Sequence, residues 1–464
     1  MARNKPRIVV ILPRGETFRN FLYTGTFDEL AREAEVTALS VIPSPAFEQL
    51  LRERFHRVIP LQSVSDRWPV RITREILEMA HARRLWSAAQ RERWFWRDEE
   101  ATTASRWLKR TGKKLACYPF ANQTGLAALS HAEHWGSWLL RPTDEYRRLL
   151  DEVKPALVFN ASHVHSQNAA HAMHAARRMK IPTATFLFSW DNLTSQGRIM
   201  PPCDHYLVWN DAIREQLLSI YPAIAPARVY VTGTPQFDTH FRDQFHWTRE
   251  EFCARVGADP ARPIVFYSTG MANHMPGEPL IVERIAAMLR EMTEFGPPQL
   301  LLRVYPKDTS GRFEDLKRRL PGLLAPEVPW ESNWLTPKLD DAYLLANSLR
   351  HAAAGVNIAS TVSLELCMFD KPVINVGYNP PGMDIRPIDF TRYYHFDHYK
   401  PIVESGAIAV ARDEDEMKQM IANALRNPGE RTPQRAALLR SFFGDSLDGQ
   451  SGSRVAQTLL NLAR

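Results

Sequence analysis

The chain has 464 residues, 44% apolar and 24% charged, with a net charge of +6. This composition excludes a largely disordered protein, and the length exceeds the ~250–300 residues that a single core supports, so two domains are expected. No run approaches ~18 consecutive apolar residues, which excludes a membrane-spanning helix, and the opening MARNKPR lacks the apolar stretch of a secretory leader.

From the N-terminus, short apolar β-rich runs alternate with helical stretches. Strands are predicted at Arg7–Pro13, Val36–Ile42, Arg57–Leu61, Ala156–Asn160, Thr183–Phe188, His205–Trp209 and Val229–Thr232. Residues 64–150 interrupt this rhythm and read as a helical insertion. After a helix at Thr248–Val256, a second series is predicted at Pro263–Tyr267, Gln299–Val304, Ala353–Asn357, Pro372–Val376 and Ala407–Ala411. The runs are continuous rather than alternating, the pattern of parallel strands covered on both faces. The predicted fold is α/β: two Rossmann-like, doubly wound domains facing a central cleft, divided as 1–245 and 246–464. The last helix is expected to pack back on the first domain. Ligands of such sheets bind beyond the carboxyl ends of the strands, so candidate residues are sought there.

The insertion carries the chain's charge asymmetry. Residues 81–114 hold ten basic and four acidic residues, together with Trp86, Trp94, Phe95, Trp96 and Trp107. Basic residues interleaved with Trp on helical sequence suit an anionic membrane surface. A solvated helical hairpin with core tryptophans reads equally well, and nucleic acid lacks any accompanying module. Cys117, Cys203, Cys253 and Cys367 are far apart, with no metal-ligand spacing, and read as reduced thiols of a cytoplasmic protein.

The strongest local signal is AAAGVNIASTVSLELCMFDKPVINVG at 352–377. A buried strand ends near Asn357, and Ser360, Thr361 and Ser363 cluster where a helix begins. Free N–H groups and hydroxyls there suit a phosphate. Glu365, one turn on, suits ribose hydroxyls. Arg303 and Lys307 bracket Val-Tyr-Pro after another strand, where they can neutralise a leaving diphosphate. Thr269 and Gly270 form a small-residue turn suited to an anion. In the first domain, Arg14, Gly15 and Glu16 follow the first strand, and Glu16 is a candidate general base. His163 and His165 follow the fourth strand, and Trp190, Asp191 and Asn192 follow the fifth. Each has a plain alternative in capping, surface charge or loop structure.

The segments IASTVSLELCMFDKPVINVGY, VTGTPQFD at 231–238, FSWDNLTSQG at 188–197 and LRVYPKD at 302–308 resemble GT-B-type glycosyltransferases. The relatives they point to are bacterial surface-carbohydrate transferases, the Kdo transferases and the CDP-glycerol glycerophosphotransferases. The resemblance implies donor phosphates at Ser360 and Thr361, donor ribose near Glu365, and a diphosphate facing Arg303 or Lys307. It implies an acceptor side built from Arg14, Gly15, Trp190 and Asn192. Catalysis would fall to Glu16, His163 or Asp191; Gly15-Glu16 is similar in form to the Gly-Glu pair that supplies the base in Kdo transferases. No metal or other cofactor is expected.

The function so implied is inverting transfer of a sugar from a nucleotide-activated donor to a surface-glycan or lipid-linked acceptor. The protein would be cytoplasmic or peripheral at the inner membrane face, touching anionic lipid through residues 81–114. Glycerophosphotransfer, nucleotide-sugar 2-epimerisation and a non-catalytic membrane scaffold are the alternatives.

Overall fold

The computed structural model describes residues 5–42, 44–62, 64–164, 167–380 and 389–464. The chain divides into two compact units, Met1–Pro235 with Gln450–Arg464, and Gln236–Gly449.

The first unit is built on a seven-stranded parallel sheet. Its strands are β1 (Arg7–Leu12), β2 (Glu35–Ser40), β3 (Arg57–Pro60), β4 (Leu157–Asn160), β5 (Thr183–Phe186), β6 (His205–Val208) and β7 (Val229–Val231). The order is β3-β2-β1-β4-β5-β6-β7. β1 reads Arg-Ile-Val-Val-Ile-Leu, and all but its first residue are buried. It pairs with both β2 and β4, for example Val10 with Ala38 and with Phe159. A strand flanked by two others and covered by helices has no polar face, hence its unbroken apolar run.

The insertion between β3 and β4 consists of helices Trp68–Leu85, Ala88–Glu99, Ala104–Cys117, Gln123–Leu140 and Asp144–Val153. Leu77, Ala80, Trp94, Cys117, Leu126 and Leu129 form a small core with Met200 from beyond the insertion. The last helix of the chain, Ser451–Leu462, lies in this unit. The Ser453 hydroxyl donates to Glu29 at 2.6 Å, Arg454 Nε donates to the Thr232 carbonyl at 2.9 Å, and Arg464 pairs with Glu33 at 2.7 Å.

The second unit holds a five-stranded parallel sheet of β8 (Ile264–Ser268), β9 (Gln299–Arg303), β12 (Ala354–Asn357), β13 (Val373–Val376) and β14 (Ala409–Ala411), ordered β14-β13-β12-β8-β9. A small antiparallel hairpin, β10 (Trp330–Glu331) with β11 (Thr336–Pro337), stands apart from it. Its two-residue strands are too short to leave a periodic signal, so sequence reading misses it. Val265, Tyr267, Leu300, Leu302, Val356 and Ile374 share one buried cluster with the helices above them.

Gly355 marks the closest approach of strand to helix. A Cβ there would stand 2.1 Å from Leu366 Cδ1 and 2.8 Å from its Cδ2. Leu366 is itself wholly buried, so it has nowhere to retreat. Gly355→Ala is expected to overpack this layer and lower stability by about 1–3 kcal/mol. Urea unfolding should show a lower midpoint at unchanged slope.

Candidate functional site

In each sheet the strand order reverses once, between β1 and β4 in the first unit and between β8 and β12 in the second. Such switch points leave a crevice beyond the carboxyl ends of the two strands. The loops that follow these four strands carry most of the residues singled out from sequence.

In the second unit, the turn after β12 is organised by Asn357, which is wholly buried. Its Oδ1 accepts from the Ser360 N–H at 3.2 Å, the Ser363 hydroxyl at 3.0 Å and Asn375 Nδ2 at 3.1 Å. Three donors converging on one atom identify it as the carbonyl oxygen of the side chain. Tyr399 adds its hydroxyl at 2.8 Å from Ser363 Oγ and 2.6 Å from Asn375 Oδ1. Ala359 between them has a φ of 40°, a left-handed conformation that is costly for a residue with a Cβ. The chain is thus bent sharply, and Ser360 and Thr361 stand half-buried at the start of the helix Val362–Met368. Ser363 is different. It is fully buried and its hydroxyl is committed to Asn357, Asn375 and Tyr399, so it is a framework residue rather than a phosphate ligand.

Glu365 lies one turn along that helix, and His240 Nε2 sits 2.9 Å from its Oε2. An ionised carboxylate only accepts, so the ring donates through Nε2. Both residues are buried. Phe237 stacks against the imidazole at 5.9 Å and Phe369 tilts over it at 5.5 Å, while His246 Nε2 donates to the His240 carbonyl at 3.1 Å. Sequence reading missed His240. It stands two residues beyond the segment VTGTPQFD, and its partner is 125 residues away. No spacing rule joins them.

The loops after β8 and β9 are tied to each other. The Thr269 N–H donates to the Arg303 carbonyl at 3.0 Å, and the Thr269 hydroxyl accepts from the Tyr305 N–H at 2.8 Å. Gly270 donates its N–H to both oxygens of Glu278, at 3.0 and 2.9 Å, so this backbone donor serves an internal carboxylate and not an incoming anion. Arg303 also departs from expectation. Its guanidinium is buried against Asp341 at 2.7 Å, and Asp341 further accepts from Trp330 Nε1 at 2.6 Å. A buried pair of this kind resists breaking because each charge would be stranded. Arg303 is therefore a structural cation, and Lys307, whose ammonium lies 5.9 Å from the Tyr305 ring centroid, is the more accessible of the two.

In the first unit, Arg14 pairs with Glu16 at 2.7 Å, and the turn is closed by Thr17 N–H to the Arg14 carbonyl and Phe18 N–H to the Gly15 carbonyl. Glu16 is buried. Across the switch point, His163 Nδ1 lies 3.2 Å from the Phe188 backbone nitrogen and 3.3 Å from the Phe186 carbonyl oxygen. His165 lies outside the described residues. The Asp191 carboxylate accepts from Ser189 Oγ at 2.5 Å and Ser195 Oγ at 2.6 Å, and Asn192 Oδ1 accepts from the Ser189 N–H at 2.9 Å. Trp190 and Asn192 are buried. Asp191 and Asn192 thus close their own loop. The helical insertion braces it: Ser87 Oγ donates to the Thr194 carbonyl at 2.6 Å, Gln90 Nε2 to the Gln196 carbonyl at 2.6 Å, and Arg93 to Gln196 Oε1 at 3.2 Å.

With this geometry in hand, comparison with known proteins decides the fold. No protein-family model matches the sequence, and no curated protein does either. Solved structures do. The chain has a GT-B-type fold. A Listeria monocytogenes protein described as a candidate UDP-N-acetylglucosamine 2-epimerase superposes with a TM-score of 0.55 at 12% identity, over 98% of this chain and 96% of that one. The UDP-GlcNAc 2-epimerase of Neisseria meningitidis, bound to UDP-GlcNAc, gives 0.52 at 10% identity over 98% and 99%. A glycosyltransferase of Rickettsia africae gives 0.50 at 12% identity over 99% of each chain.

Glu278 supplies a pH-dependent test of the loop after β8. Burial raises its carboxyl from the ordinary 4.5 to about 7, against the opposing pull of Arg312 at 2.9 Å and the hydrogen bonds from Gly270 and Tyr267. Between these two values the folded protein holds a proton that the unfolded chain has lost, so this group's contribution to stability falls as pH rises from about 4.5 to about 7. Relative to Glu278→Gln, the wild type should lose melting temperature across that window and run parallel outside it. A gap that is constant with pH would contradict the assignment.

Proposed function

We propose that the protein is a nucleotide-sugar enzyme whose second unit holds the nucleoside diphosphate and whose chemistry breaks the sugar–diphosphate bond. The observation that carries this reading is the buried His240–Glu365 pair at 2.9 Å beside the hydroxyl-bearing turn of Ser360 and Thr361. Ser360, Thr361 and the first N–H groups of the turn receive phosphate oxygens. Glu365, oriented by the imidazole, accepts from the ribose hydroxyls. Lys307 offsets charge that develops on the departing diphosphate.

Two reactions share this first bond-breaking step. Epimerisation at C2 of a UDP-N-acetylhexosamine has the support of the neighbours' own descriptions, which name UDP-GlcNAc 2-epimerases and a bound UDP-GlcNAc. The C2 hydrogen next to an acetal is not acidic, so this route would eliminate UDP as a base takes the C2 proton, then return UDP to C1 of the resulting glycal as a proton is delivered to the other face of C2. Glycosyl transfer is the second reading. It draws support from the motif resemblance, from the Rickettsia africae neighbour, and from the braced loop Ser189–Gln196, which offers a preorganised acceptor side. In that case Glu16 or His163 at the first switch point supplies the base.

Incubation with UDP-GlcNAc in D2O, without an acceptor, separates the two. Deuterium at C2 of the recovered nucleotide sugar identifies the epimerase. UDP release only after an acceptor glycan is added, with no deuterium, identifies the transferase. On either reading Ser360→Ala/Thr361→Ala should weaken nucleotide binding by ~1.5–3 kcal/mol, and Glu365→Gln should lower affinity in the same direction. Failure of UDP, GDP, CDP and TDP to bind the wild type refutes the reading altogether.

A further inference from the structure

We propose that two helices of the insertion, Ala104–Cys117 and Gln123–Leu140, dock the protein onto an anionic lipid surface. The inference is independent of the nucleotide reading and rests on the large apolar side chains that these helices expose. A helix on a water-soluble domain turns its apolar stripe inward. These two also leave large apolar side chains facing out.

On Ala104–Cys117 the inward face is basic. Arg110 Nε meets Asp98 at 2.9 Å and its guanidinium lies 4.7 Å from the Trp94 ring centroid, Lys114 meets Asp98 at 2.5 Å, and Lys113 meets Glu75 at 2.7 Å. The opposite side carries Leu108 and Leu115, seven residues and two turns apart, at 66% and 68% exposure, with Trp107 beside them at 59%. On Gln123–Leu140 the buried face is apolar at Leu126 and Leu129 and polar further on, at Glu133 and Ser137, linked at 2.7 Å and joined by Arg141. Its outward face presents Trp135 at 59% and Leu139 at 73%, with the indole of Trp138 also exposed. No Lys, Arg, Asp or Glu lies on that outward face.

The occupant follows from charge and residue type. Residues 101–118 contain five basic residues and no acidic one, and two of them, Arg106 and Lys109, are exposed next to Trp107 and Leu108 in the chain. Cations flanking Trp and Leu match anionic headgroups above an acyl boundary. A nucleic acid would be met by unpaired basic side chains, and here three of the five are paired with carboxylates of neighbouring helices. The window 81–114, singled out from sequence, is therefore corrected in its details. Trp94 is core, Arg83 is stacked over Trp86 at 4.1 Å, and Arg93 holds Gln196. The lipid-facing groups are Trp107 and Leu108 at its end, and the helix beyond it. Among the described residues no helix is long and apolar enough to cross a membrane, so both would lie in the interface plane.

The test uses the full chain and vesicles of phosphatidylcholine alone or with ~30% phosphatidylglycerol. The protein should sediment with the anionic vesicles and not with the neutral ones, with a blue shift in tryptophan emission and quenching by brominated acyl chains. Trp107→Ser/Leu108→Ser and Trp135→Ser/Leu139→Ser should each reduce the bound fraction about tenfold without changing the circular dichroism or melting temperature, since all four side chains are exposed. Arg106→Ser/Lys109→Ser should lower binding and flatten its salt dependence. Wild-type protein left in the supernatant at low salt overturns the proposal. So does undiminished binding by the Trp/Leu variants, binding to poly(U) in place of vesicles, or light scattering that shows these faces joined in a dimer that ignores lipid.

Discussion

A single side-chain oxygen underlies the site. Asn357 Oδ1 collects hydrogen bonds from Ser360, Ser363 and Asn375 inside a region closed to water. In such surroundings a polar group without a partner costs ~1–3 kcal/mol, so the three donors hold one another in place. That network fixes the bend at Ala359, and the bend sets where Ser360 and Thr361 stand. It also sets the first turn of the helix that carries Glu365 towards His240. Remove the hub, and neither the hydroxyl pair nor the carboxylate–imidazole pair keeps its position.

Burial and partners divide the candidate residues into two groups. Ser363, Arg303 and the Gly270 N–H are of chemically suitable types, but each is engaged by a buried partner. Ser360, Thr361 and Lys307 remain at the edge of the unit with partial exposure. In the first unit, Asp191 is likewise turned into its own loop by two serine hydroxyls.

The fold was largely legible in the amino-acid sequence because parallel strands are short, apolar and continuous. β1, β4, β8 and β12 stand out for that reason, and their loops follow directly. Partnerships were not legible. Asp341, which claims Arg303, lies 38 residues away, and His240, which claims Glu365, lies 125 residues away; only the folded topology brings them together. Helix Ala104–Cys117 failed differently. Its charge and aromatic content were visible, but which face turns inward depends on Asp98 and Glu75 of neighbouring helices. Periodicity alone would have buried Leu108 and Leu115.

The most direct measurement of the central claim is amide hydrogen exchange of the full chain with and without saturating UDP. Protection is expected at residues 358–365 and at 239–242, the two segments that meet at the His240–Glu365 pair. UDP-bound protein that exchanges there at the unliganded rate would contradict the account.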